Sequence, residues 1–476
     1  MTRKDFIARL LGAIAWLYAG IETGAAKPVR AYMANGIKVG EANVDSAIVW
    51  GRLTAVQDMV SDGLRIRDDD GVGGKRLELL PKMVGSVPGA DGQLRIVYWP
   101  ETRPEHSLST NWEDVDESTD HAHQFHLKNL EPATAYRVRA EGRLSGVDEA
   151  QIVAFDGSFR TAPEAASETR ATFAIITCQD YHRRDDPVNG HTIYETMNSL
   201  GLDFLIHTGD QEYYDIPKPF ATTVEAARFK WRRIYAEPFL REFHRNHVAY
   251  FMKDDHDTLR DDCWPGQRFG DLTFAQGLAI RREQLPSGPV PYRTVRWGRD
   301  VELWLMEGRE FRTPNTVPDG PDKSIWGSAQ KQWFYETFEK SDATFRILVS
   351  PTPLVGPDKP GKADNHANDA FKHEGDELRA FLAAQKNTIV VCGDRHWQYV
   401  SVDPITGLRE YSVGPTTDAH AGLFSEDQRT GMHRYLNIKG GFFHVDVSRD
   451  GGGPKIVLQH CGVDGTVYHE EIIQAA

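Results

Sequence analysis

Between residues 35 and 163 apolar and polar positions alternate in short runs broken by Gly, Pro and Asp, the period-2 pattern of half-buried antiparallel strands. Residues 46–50 (SAIVW), 94–99 (LRIVYW) and 135–140 (AYRVRA) carry it most clearly, and 157–161 (GSFRT) supplies a last strand. Residues 35–162 are therefore predicted to form a small all-β sandwich. The polar, Gly-rich stretch between Asp58 and Asp91 reads as a surface insertion, and residues 162–170, rich in Ala, Glu and Ser, read as a linker. Beyond the linker the grammar changes. Apolar runs at 172–177, 203–207, 248–252 and 387–392 each end at or near Cys, Asp or His and are separated by helical segments, as in a layered α/β domain, here 171–476. Ligands collect at the carboxyl ends of strands in such sheets, so these four ends are where chemistry is expected.

Within the sandwich, Leu130-Glu-Pro-Ala-Thr-Ala-Tyr136 resembles the tyrosine corner of fibronectin-like domains. At the other end of the pattern, Arg3 and Lys4 precede an apolar run from Leu10 to Gly20 and a group of small residues, Thr23, Gly24, Ala25 and Ala26. Residues 1–26 read as an export signal. Thr2-Arg3-Lys4-Asp5-Phe6-Ile7 is similar to a twin-arginine signal with lysine in the second position, which implies a periplasmic or secreted protein; an amphipathic N-terminal helix is the alternative.

Composition narrows the function. With 40% hydrophobic and 26% charged residues the chain is globular, and no internal run of eighteen apolar residues predicts a membrane span. A net charge of -14 disfavours nucleic acid as a main partner, because phosphate backbones select basic faces. The four cysteines, Cys178, Cys263, Cys392 and Cys461, show no paired spacing. Cys178 and Cys392 stand at strand ends, where a ligand role competes with burial.

Three clusters carry the chemistry. Gly209-Asp210-Gln-Glu-Tyr213 follows a strand directly, so its glycine permits a sharp turn while a carboxylate and a phenol project from one loop. Lys253-Asp254-Asp255-His256-Asp257 packs three carboxylates around one histidine, an arrangement that repels itself unless a cation or several donors sit among them; the histidine suits a proton donor to a leaving group. Gly393-Asp394-Arg-His396-Trp397 sets an acid and an imidazole two residues apart. Two-metal sites are assembled from several strand ends in this way.

Together with Cys178-Gln-Asp180, these motifs resemble those of the PhoD-type alkaline phosphatases within the calcineurin-like metallophosphoesterases: Ser-Cys-Gln, Gly-Asp-x-x-Tyr, Asp-Asp-His-Glu/Asp and Gly-Asp-x-His. The resemblance implies an α/β fold with a layered metallophosphoesterase β-sandwich flanked by helices, preceded by a small fibronectin-like all-β domain. It implies metal-dependent hydrolysis of phosphate esters, with a metal-bound hydroxide attacking phosphorus at a two-metal site and His256 assisting departure of the alcohol. Cys178, Asp210, Tyr213 and His396 would hold one cation, with Asp210 bridging to a second held by Asp255 and Asp394, and Asp180 a further ligand candidate. Thiolate and phenolate favour ferric iron in the first position, and oxygen ligands suit calcium in the second; other divalent metals are the alternative. Residues 350–353 (SPTP) lack the histidine that follows this strand in the wider superfamily, which argues against a nitrogen-rich zinc-type second site. For Cys178 the competing expectation is a buried core thiol, and for Tyr213 ordinary aromatic packing. The competing functions are phosphodiester or phospholipid cleavage at the same core, and a non-catalytic surface-polymer binding protein. His121, His123, His182, His366 and His420 have no distinguishing spacing and are expected at the surface or in the core, with His207 supporting the site from behind.

Overall fold

The computed structural model describes residues 30–65, 77–145 and 151–476; the signal expected at residues 1–26 lies outside them. From Ile37 to Arg160 the described residues form strands and short 3-10 turns. Gly92–Pro100, Ala135–Leu144 and Val153–Arg160 pair antiparallel in one layer, and Ile37–Gly40, Ser46–Arg52 and Ala122–Lys128 form the layer facing it. The Tyr136 hydroxyl accepts a hydrogen bond from the Glu131 backbone N–H at 2.8 Å, the geometry that a tyrosine corner requires.

The second of these layers does not end at the linker. Ile37–Gly40 runs parallel to Val248–Phe251, with Val39 opposite Val248, so a nine-stranded sheet extends from the N-terminal region into the α/β region. There Ala171–Ile176, Phe204–His207 and Val248–Phe251 are parallel neighbours, buried along their whole length. Strands covered on both faces read as continuous apolar runs, which is why 172–177 and 203–207 stand out in the sequence. A seven-stranded sheet containing parallel Val301–Leu305, Phe345–Ser350 and Thr388–Cys392 packs against the inner face. Phe204 meets Trp297 across the interface at 4.9 Å between ring centroids, and Tyr411 meets Phe443 at 5.3 Å.

Helices close the outer faces. Val224–Ile234 begins at Thr223, whose hydroxyl accepts from Ala226 N–H, and ends on Arg232 and Arg233, complementing the helix dipole; Trp231 and Ile234 pack on the sheet beneath it. Phe274–Gln284 is held by a capping box of Thr273 and Gln276. Gly327–Lys340 and Lys372–Ala383 cover the opposite sheet through Phe334, Phe338, Leu378 and Leu382. Inside, one apolar cluster runs from Val49 and Val138 through Ile206 and Tyr250 to Val349 and Val391, so residues 162–170 connect two parts of a single core.

The stretch expected to be a surface insertion behaves differently where it is described. Leu80 and Met83 are buried against Ala226 and Phe229. The polar and glycine residues around them hide an apolar set that has no strand or helix period, and it is buried by docking on a helix rather than by joining a sheet.

A buried polar clamp joins the N-terminal strands to the helices. Asp120 accepts from Arg232 Nε at 3.0 Å and Gln284 Nε2 at 2.7 Å, and Arg52 Nη2 lies 3.4 Å from it; Arg52 also donates to Asn35 Oδ1 and Val87 O. Burial alone would raise the Asp120 pKa, but Arg52 and Arg232 outweigh it and hold the carboxyl down from 3.8 to about 2. A depressed acid stabilises the fold fully above its unfolded pKa and loses that contribution as pH falls through the folded one. Removing one partner of a buried ion pair typically costs about 3–5 kcal/mol. Asp120→Asn is therefore expected to lower unfolding free energy by about that amount at neutral pH, in urea titrations, with the difference from wild type narrowing only below pH 3.8. A difference that shrinks already between pH 7 and 5 contradicts the assignment.

Candidate metal centre

The four strand ends converge. Ala171–Ile176 leads to Cys178, Phe204–His207 to Asp210, Val248–Phe251 to Asp254 and Asp255, and Thr388–Cys392 to Asp394 and His396. Three of these residues, Cys178, Asp210 and Asp394, have left-handed backbone, with φ of 52°, 56° and 63°. Such conformations cost a non-glycine residue about 1 kcal/mol or more and persist where the surroundings over-determine them, as at functional sites. Gly209, at φ 130°, makes the turn before Asp210, and a Cβ there would meet Asp254 N at 2.5 Å. His207 braces the same turn, with Nδ1 3.4 Å from the Gly209 N–H. Behind it, Gln211 Nε2 donates to Met252 O at 2.8 Å and Lys230 pairs with Glu212 at 3.1 Å.

Asp210 is the hub. Its Oδ2 lies 3.4 Å from Cys178 Sγ and 3.3 Å from the Tyr213 hydroxyl, and that hydroxyl is 3.5 Å from His396 Nε2. Ligand atoms of Cys178, Asp210 and His396 lie within 4.8 Å of one another; so do those of Asp210, Asp255 and His256, and those of Asp210, Asp254 and Asp394. Three groups of candidate ligands thus share one carboxylate. Sulfur and an imidazole share one group with Asp210, and carboxylates dominate the other two.

These groups are costly to ionise where they sit. Burial, reinforced by Asp210, pushes the Cys178 thiol well above 9.0, and burial followed by Asp210 and Cys178 does the same to the Tyr213 phenol. Burial raises Asp210 to about 7, with His256 opposing and Asp255 adding. The Asp254 carboxyl is also raised by burial, although Arg309 Nε contacts its Oδ1 at 2.5 Å; its buried Oδ2 has no partner among the described residues. Asp255 goes the other way, because Arg309, His256 and Lys362 outweigh its burial. His396 is driven well below 6.5 by burial and by His420 and Arg395, which leaves a neutral imidazole able to ligate. A bound cation would displace the protons from thiol, phenol and carboxyl, so the donor set and the orphaned Asp254 oxygen fit metal ions.

His256 stands beside this cluster. Its Nδ1 is 2.6 Å from Asp215 Oδ1 and its ring is 4.4 Å from that of Tyr213. Burial disfavours its charge, yet Asp255, Asp210 and Asp215 together raise its pKa well above 6.5.

Not every expected residue joins the site. Asp180 caps the turn at Tyr181–Arg183, accepting from His182 N–H at 2.9 Å, and pairs with Arg183 at 3.2 Å; it appears in none of the ligand groups among the described residues. Asp257 points inward and accepts from the Asp254 N–H at 2.9 Å. Cys392 is buried with its sulfur 3.3 Å from the Tyr399 hydroxyl. Conversely, His420, expected at the surface or in the core, lies with its ring 4.1 Å from that of His396 and its Nδ1 3.2 Å from Cys178 O. It reaches the site from a fifth strand end, Arg409–Val413, whose Gly414-Pro415 turn pairs with Thr177. Asp215 and Arg309 stand outside the sequence motifs, although Asp215 is two residues from Tyr213, and Asp254 belongs to the cluster at residues 253–257 without being among its expected ligands.

The sequence model of the PhoD-like phosphatases matches residues 173–422, which span every strand end just described. The chain belongs to this family. It is 21% identical over 338 residues to alkaline phosphatase D of Bacillus subtilis (strain 168), covering 59% of this chain and 54% of that protein, so the match spans about half the length of the curated relative. The fold is similar to a solved PhoD structure, at TM-score 0.70 and 17% identity over 93% of this chain and 89% of that one. It is also similar to a purple acid phosphatase from yellow lupin (Lupinus luteus) seeds, at TM-score 0.61 and 12% identity over 94% and 75% of the two chains.

The last loop of the family's motif set depends on close packing at Gly393, where a Cβ would meet Thr208 Oγ1 at 2.2 Å, Thr177 Oγ1 at 2.8 Å and Pro351 O at 2.9 Å. Two of these neighbours are the residues just before Cys178 and Gly209. Gly393→Ala is expected to destabilise by about 1–3 kcal/mol through overpacking, read as a lower denaturation midpoint; a midpoint equal to wild type contradicts the packing described.

Proposed function

We propose that this protein hydrolyses phosphate esters at two cations that share Asp210. Cys178, Asp210, Tyr213 and His396 would hold one, and Asp210, Asp255 and Asp394 the other, with Asp254 as an additional oxygen donor. The observation that carries this reading is the membership of Asp210 in three ligand groups at once. A thiolate and a phenolate favour ferric iron in the first position and carboxylates favour calcium in the second. Such cations supply neutralisation of the phosphoryl oxygens and activation of water.

The chain's own residues do the rest. Asp215 fixes the His256 ring through Nδ1, and its carboxylate, which is not among the proposed metal ligands, favours the protonated imidazole. His256 Nε2, 3.8 Å from the exposed Asp261, then delivers a proton to the oxygen of the departing alcohol. The left-handed backbone at Cys178, Asp210 and Asp394 preorganises the ligand atoms before substrate arrives.

The phosphodiester alternative uses the same groups, and comparison of aryl mono- and diesters separates the two. Elemental analysis finding no metal in protein purified without chelators would favour the non-catalytic alternative. Export to the periplasm or the medium is supported by the Arg3-Lys4 start, the apolar run from Leu10 to Gly20 and the small residues that follow; cell fractionation that leaves the protein in the cytoplasm contradicts it.

Asp210→Asn in metal-replete protein is expected to reduce aryl phosphate hydrolysis on the order of a hundred-fold or more; a rate within a few-fold of wild type contradicts the proposal. A general acid contributes roughly 10²–10⁴-fold where the leaving group needs a proton. His256→Asn should accordingly depress hydrolysis of an alkyl phosphate far more than that of a nitrophenyl phosphate. Equal losses on both substrates would remove His256 from the acid role.

A further inference from the structure

Beside the shared hub lies a fourth group of carboxylates, of which the catalytic proposal uses only Asp255. Ligand atoms of Asp255, Asp262 and Asp364 lie within 4.8 Å of one another, and Asp364 is fully buried. Three carboxylates so close demand positive charge. Arg309 supplies part of it from one side, 3.6 Å from Asp255 and 3.4 Å from Asp364.

The remainder comes from Lys362. Its ammonium closely contacts Asp262 and lies 3.3 Å from Asp261 and 3.7 Å from Asp364, with its side chain only 9% exposed. Lys362 belongs to the loop after Phe345–Ser350, which forms the rim of the site. The same loop reaches the opposite side, where Asp358 contacts Arg395, the residue between Asp394 and His396. It is braced internally by Asn365, whose Nδ2 donates to Asp358 at 2.6 Å and to Asp364 at 3.0 Å. On the near side the Asp262 N–H donates to Asp255 Oδ2 at 2.5 Å, and Asp261 faces His256.

We propose that Lys362 is a tethered cation occupying the place of a further metal ion, and that it thereby positions Asp255 and fixes the rim loop across the site. An ammonium carries one charge and three directed donors, enough to bridge Asp261, Asp262 and Asp364, whereas a divalent ion would draw Asp255 away from the shared hub. Lys362 is a positioning residue: it touches Asp261, Asp262 and Asp364 and acts on Asp255 through them. This inference rests on the two-cation reading of the main site.

The test is metal stoichiometry. Wild type, Lys362→Met and Lys362→Arg are equilibrated with calcium, freed of loosely held ions and analysed for metal per chain, and kcat and KM are measured on one aryl phosphate. Lys362→Met is expected to gain about one calcium per chain and to lower kcat more than it raises KM, and Lys362→Arg to keep the wild-type metal content. The double variant Asp262→Asn/Lys362→Met restores charge balance if the single variant folds poorly, and it should gain no calcium. A Lys362→Met protein with wild-type metal content, or a double variant that takes up the extra ion, overturns the inference. Wild type with no bound metal would instead fail the two-cation reading, so the two failures are distinguishable.

Discussion

The Asp210 carboxylate is buried within reach of a thiol, a phenol, two imidazoles and three further carboxylates, and this crowding of ligand atoms is the constraint on which the rest of the structure depends. Burying one ionised group without a partner costs several kcal/mol, and here the thiol, the phenol and Asp210 are all pushed toward their protonated forms. Arg309 and Lys362 answer the outer carboxylates, Asp254, Asp255 and Asp364. Around Asp210 positive charge comes from His256, which opposes the rise of its pKa without cancelling it, and metal ions fit the demand that remains.

The fold meets that constraint by making the surroundings rigid. Parallel strands buried on both faces deliver Cys178, the Asp210 turn and the Asp254-Asp255 pair in register from adjacent positions, while the facing sheet contributes Asp394 and His396. Left-handed residues at three of these ends are tolerable because glycines and small hydroxyl side chains, Gly209, Gly393, Thr177 and Thr208, let the loops approach each other closely. The N-terminal strands take part as well, since Ile37–Gly40 extends the catalytic sheet beside Val248–Phe251.

Much of this was legible in the chain. Continuous apolar runs ending in Cys, Asp or His identify the strand ends, because burial on both faces removes polar alternation up to the residue where the loop begins. The tyrosine corner at Tyr136 was readable for the same local reason. What escaped was long-range. His420 has no motif around it and arrives at His396 only through the Gly414-Pro415 turn. Asp180, a further ligand candidate by the family resemblance, caps the turn that follows it and pairs with Arg183. Leu80 and Met83 sit in a stretch whose polarity concealed them, and only the helix at Val224–Ile234 explains their burial.

The most direct measurement is anomalous diffraction from crystals of metal-replete protein. The account predicts two peaks on either side of Asp210, one among Cys178, Tyr213 and His396 and the other between Asp255 and Asp394. A single ion that Asp210 does not touch, or no anomalous density at this carboxylate, would contradict it.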